Sequence, residues 1–70
     1  MEDFSKLASY IQCWQSNNFY VNVTIRDMEI NPYVLVPGDK IELFDQGVIL
    51  RGSIFYNWSM VRSIKRGGRL

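Results

Sequence analysis

The chain has 70 residues, 47% of them apolar, with a formal net charge of +1, one cysteine and no histidine. Those counts exclude an internal disulfide, the usual zinc ligand sets and any serine–histidine or cysteine–histidine nucleophile. One domain spanning residues 1–70 is expected, and a chain this short buries only roughly 60% of its unfolded surface, so self-association or a partner is the remaining aid to stability.

Residues 3–16 carry a helical stripe. Phe4, Leu7, Ala8, Ile11 and Trp14 share one side of a 100° wheel, with Tyr10 at its edge. Asp3 is placed to cap the N-terminus and Asn17-Asn18 to end the helix. Cys13 falls on the polar face, with only Lys6 on roughly that side, so it is expected to be an exposed, unreactive thiol.

Residues 19–26 alternate strictly. Phe19, Val21, Val23 and Ile25 point one way, and Tyr20, Asn22, Thr24 and Arg26 the other, which predicts a strand with one buried and one wet face. Asp27-Met28 is read as a loop. Asn31-Pro32 and Pro37-Gly38 bracket the short β-prone run Tyr33–Val36.

Residues 39–55 predict a hairpin. A two-residue turn at Gln46-Gly47, with Gly47 at positive φ, pairs Asp45 with Val48, Leu43 with Leu50 and Ile41 with Gly52, and sets Glu42 opposite Arg51. A three-residue Asp-Gln-Gly loop with a glycine bulge is the alternative. Gly52 marks a bend or a close backbone approach. Residues 56–66 fit a strand, through Ile54, Tyr56, Trp58 and Met60, or a helical turn, through Trp58, Val61 and Ile64; the strand is preferred. Residues 67–70 are expected to be a flexible tail. The class that follows is mainly β with an N-terminal α-helix: a small, strongly bent antiparallel sheet or barrel over about residues 19–66.

Charge is divided along the chain. Through Asp45 there are seven acids against three bases, a net of −4, and beyond it five bases and no acid, a net of +5. A basic C-terminal third points to phosphates or an acidic protein surface. Asp39, Glu42 and Asp45 recur every three residues, so along a strand they alternate faces and do not converge as an acid–base pair. No glycine spacing cradles a phosphate. The chain is therefore read as non-enzymatic, without cofactor or metal. No run of about 20 apolar residues suits a membrane span. The N-terminus lacks the features of a secretion signal, so the expected location is the cytoplasm of a cell or an infected host cell.

After its helix, the segment Asn18-Phe19-Tyr20-Val21-Asn22-Val23-Thr24-Ile25 resembles the opening of Hfq, the bacterial Sm-like RNA chaperone. Ile41-Glu42-Leu43-Phe44-Asp45-Gln46-Gly47-Val48-Ile49-Leu50 is similar to the Hfq segment around its phenylalanine–aspartate pair. A second register sets Gly47–Ile54 on the glycine-x₄-glycine part of the Sm motif. Gly38-Asp39-Lys40-Ile41 with the following hairpin and Ile54-Phe55 also resembles β-domains of phage tail hub proteins. The Hfq resemblance implies an Sm/SH3-like homo-oligomer that binds single-stranded RNA. Gln46 then matches a glutamine at the uridine-binding pore face, and Gly47 stands where Hfq commonly has a base-stacking aromatic. Tyr56-Asn57-Trp58 stands where Hfq has tyrosine–lysine–histidine, whose lysine and histidine are absent here. With the bases of the C-terminal third, the candidate RNA-binding set is Gln46, Arg51, Tyr56, Trp58, Arg62, Lys65 and Arg66. The other reading is a protein–protein interaction module, such as a phage structural or assembly component or a small inhibitor.

Overall fold

The structure, a computed structural model, describes residues 4–29 and 31–70. Helix α1 spans Phe4–Ser16. Six strands follow: β1 Phe19–Ile25, β2 Tyr33–Leu35, β3 Ile41–Leu43, β4 Gly47–Leu50, β5 Ile54–Asn57 and β6 Val61–Arg69, with a 3-10 turn at Trp58–Met60 between the last two. The expected cap Asp3 lies outside the described residues. No helix among those described is long and apolar enough to cross a membrane.

The helix docks through Ile11, which is buried, with Leu7 and Trp14 half-buried beside it. Ala8, placed on the same stripe by periodicity, is exposed, and Cys13 is exposed as expected. The helix ends where Asn17 turns its side-chain amide back onto the Cys13 carbonyl at 2.8 Å. Asn18 takes a left-handed φ of 64°, a conformation that asparagine tolerates better than most residues.

Strand β1 keeps its alternation, with Val21, Val23 and Ile25 fully buried. It is the central strand of the antiparallel sheet β2-β1-β6; the second sheet is β3-β4-β5. The core takes Val21, Val23, Ile25 and Leu35 from the first sheet, Val48 and Leu50 from the second, and Ile11 from the helix. Among the described residues the strand pairing is divided between these two small sheets and does not close into a barrel. Two interruptions explain the division. The turn Val36–Asp39 closes on itself, Asp39 N–H donating to the Val36 carbonyl and Val36 N–H to the Asp39 carboxylate, both at 3.0 Å. The 3-10 turn likewise separates β5 from β6.

The hairpin register differs from the expected one. Ile41 pairs with Leu50, Glu42 with Ile49 and Leu43 with Val48, so the turn residues are Asp45-Gln46 and Gly47 opens β4. The apolar face is unchanged, but Glu42 no longer faces Arg51. Gly47 does not take positive φ. It is confined by contact instead: a Cβ there would lie 2.1 Å from the Tyr56 carbonyl oxygen and 2.9 Å from the Asn57 Cα. Close approach of β5 therefore fixes the register, a constraint that turn chemistry cannot reveal. Gly52 does bend the chain, at φ 71° in the turn between β4 and β5.

Residues 67–69 are not a tail. They continue β6 against β1, with Arg69 opposite Phe19, and Leu70 N–H donates to the Asn18 carbonyl at 2.6 Å. At 56–66 neither alternative holds throughout: the strand through Ile54 and Tyr56 stops at Asn57, Trp58 and Met60 lie in a 3-10 turn, and Val61 and Ile64, the rest of the helical alternative, lie on strand β6.

Candidate nucleic-acid interface

The seven candidate residues fall into three groups. Gln46, Tyr56 and Trp58 are drawn together by the β4–β5 pairing. Gly47 lies opposite Asn57, and Trp58 N–H donates to the Gln46 carbonyl at 3.2 Å. Gln46 is exposed in its turn. Tyr56, opposite buried Val48, is half-buried against the core, as is Trp58. The Trp58 indole N–H donates to the Phe44 carbonyl at 2.7 Å. Both rings therefore carry structural contacts, and neither lies wholly open as a stacking surface.

Arg51 stands apart. It follows β4 with φ 56°, its Nε lies 3.1 Å from an Asp39 carboxylate oxygen, and its guanidinium sits 5.3 Å from the Tyr33 ring centroid. Tyr33 is on β2, at the edge of the first sheet opposite β6. Arg51 thus belongs to an acidic partner and to the far edge.

Arg62, Lys65 and Arg66 lie on β6, all exposed, but they do not share a face. Lys65 is opposite Asn22 and Arg66 opposite Val21, so these neighbours point to opposite sides of the sheet. Arg62 is the extra residue where Thr24 pairs with Ser63 and Ile25 with Val61, a β-bulge. The three bases that the candidate set takes from β6 are thus split by the pleat and the bulge.

Two residues outside the candidate set complete a cluster. Phe19 is half-buried, and its ring carries the Arg66 guanidinium 4.6 Å from the centroid and that of Arg69 at 5.7 Å. Residues three apart on a regular strand face opposite ways. Here β1 advances two residues from Phe19 to Val21 while β6 advances three from Arg66 to Arg69. The extra residue in the Gly67-Gly68 segment returns Arg69 to the face of Arg66. The signal was the glycine pair near the end of a basic strand. It was not interpretable until β1 supplied the register. Among the described residues, no group of three His, Cys, Asp or Glu side chains is placed to hold a metal ion.

Comparison with known protein families, with curated proteins and with solved structures returned no match.

Proposed function

We propose that this chain is a non-catalytic, self-associating β module of Sm/SH3-like build that binds single-stranded RNA. The observation that carries the reading is the pairing of β4 with β5. It sets Gln46-Gly47 beside Asn57-Trp58, joining the segment that the Hfq resemblance matches to the uridine-binding pore face with the one it sets at the tyrosine–lysine–histidine motif. Strand order supports it. If β2 and β3 are taken as one strand bent at Val36–Asp39, the order is β6-β1-β2/β3-β4-β5, an antiparallel meander whose last strand returns beside the first. Bending such a sheet brings its two edges towards closure.

Self-association follows from what is left uncovered. β5 and β6 end their sheets, and a free strand edge is a template for another copy. The core, seven buried apolar residues among those described, is small, so burial between copies adds stability that one copy lacks. The basic β6 supplies the phosphate-facing charge.

A protein–protein module, such as a phage assembly component or a small inhibitor, is the second reading. One observation favours it: Phe55, 49% exposed, and Phe44, 42% exposed, flank Gly47 on the outer side of the β3-β4-β5 sheet, a sheet that does not include the basic strand β6. Solution mass measured with and without nuclease, beside RNA binding across a salt series, separates the two. An oligomer whose affinity for a uridine-rich strand falls steeply with salt supports the first reading. Salt-insensitive assembly without RNA affinity overturns it in favour of the second.

A further inference from the structure

We propose that Arg66 and Arg69, set around Phe19, form a phosphate-binding clamp, with Arg51 excluded from it. Three observations converge. First, both guanidinium groups lie against one ring, at 4.6 and 5.7 Å from its centroid, and so within about a Debye length of each other at 0.1 M salt. Secondly, no carboxylate among the described residues pairs with either one; the basic side chains that do pair are Arg51, with Asp39, and Lys40, with Glu42. Two like charges without a carboxylate partner repel, and an anion seated between them removes that repulsion. Thirdly, the arrangement depends on the bulge at Gly67-Gly68, without which Arg69 would face away from Arg66. Bulges that re-aim a side chain recur next to functional sites.

Chemistry selects the ligand. A guanidinium held at a ring by a cation–π contact spends none of its N–H donors on that contact, and those donors match the oxygens of phosphate. Neither the Arg66 nor the Arg69 guanidinium donates a hydrogen bond to the described residues. On the RNA reading above, on which this part of the assignment rests, the ligand is the phosphodiester backbone of a single strand running along the outer end of β6. Free phosphate presents the same oxygens.

The test has two arms. In the first, the Nε–Hε resonances of the arginines are followed by NMR as inorganic phosphate replaces chloride at constant ionic strength. Shifts at Arg66 and Arg69, with Arg51 unmoved, are expected. In the second, binding of a uridine-rich strand is compared among wild type, the Arg66→Gln/Arg69→Gln double variant and Arg51→Gln. The double variant should bind about tenfold more weakly. Its slope of log affinity against log salt should flatten by about 1.4, at roughly 0.7 per lost contact on a single strand. Arg51→Gln should leave both unchanged. Both clamp residues are exposed, so the fold should survive; circular dichroism of the double variant checks it. Phosphate shifts without any RNA binding would keep the clamp and overturn the RNA reading. RNA binding that the double variant leaves intact would overturn the clamp and keep the RNA reading. No selective shift and no RNA binding would overturn both.

Discussion

The indole N–H of Trp58 donates to the main-chain carbonyl of Phe44 at 2.7 Å, tying the 3-10 turn that leads into β6 to the end of β3. Together with the bond from Trp58 N–H to Gln46, it makes this residue a strut between the hairpin and the last strand. Its ring also packs against the core, so stability and any stacking role are joined in one side chain.

Trp58→Phe separates them. It keeps an aromatic ring and removes one hydrogen bond, which should cost about 1 kcal/mol. The Phe44 carbonyl retains Gly47 N–H as a donor at 3.3 Å, which limits the penalty. Urea denaturation should show that small loss, and RNA affinity should stay within a few-fold of wild type.

The helix should be anchored by Ile11 more than by Trp14. Ile11 is 4% exposed, whereas Trp14 is half-buried and stacks on the exposed ring of Tyr10 at 6.3 Å. Ile11→Ala should cost about 2–5 kcal/mol, the range for emptying a closed site. Trp14→Ala should cost less than the 3–5 kcal/mol of a fully buried tryptophan. A reversed order in denaturant midpoints would contradict the docking described.

Glycines 47 and 52 should respond differently to alanine. At Gly47 the added methyl meets β5 main chain at 2.1 Å, so the strands must separate, at about 3 kcal/mol or more. At Gly52 the space is open and only the φ of 71° resists, at about 1–2 kcal/mol. Thermal unfolding of the two variants should rank Gly47→Ala well below Gly52→Ala.

Asn31 replaces a missing strand neighbour. Its side-chain oxygen accepts from Ile25 N–H at 3.0 Å, and its amide donates to the Ile25 carbonyl at 2.8 Å and to that of Met28 at 3.0 Å. Asn31→Ala leaves both main-chain groups of Ile25 without that partner and should cost about 2 kcal/mol. Amide exchange at Ile25 should quicken relative to Val23, which has strand partners on both sides.

Local physics determined much of this protein from the sequence. Leu7, Ile11 and Trp14 of the helix stripe, its Asn17-Asn18 exit and the buried face of β1 were legible because period and capping are local properties, although Ala8 on the same stripe is exposed. So were the turn at Pro37-Gly38 and the bend at Gly52. What required the tertiary structure was set by residues far apart in the chain. Packing of β5 over Gly47 fixed the hairpin register, and pairing with β1 drew residues 67–69 into β6. The candidate site divided for the same reason. Charge along the chain placed Arg51, Arg62, Lys65 and Arg66 in one basic third, but charge carries no information about faces. The pleat set Lys65 apart from Arg66, Asp39 claimed Arg51, and a bulge measured against β1 brought Arg69 to Phe19. Register is a relation between two strands, and the sequence of one strand does not contain it.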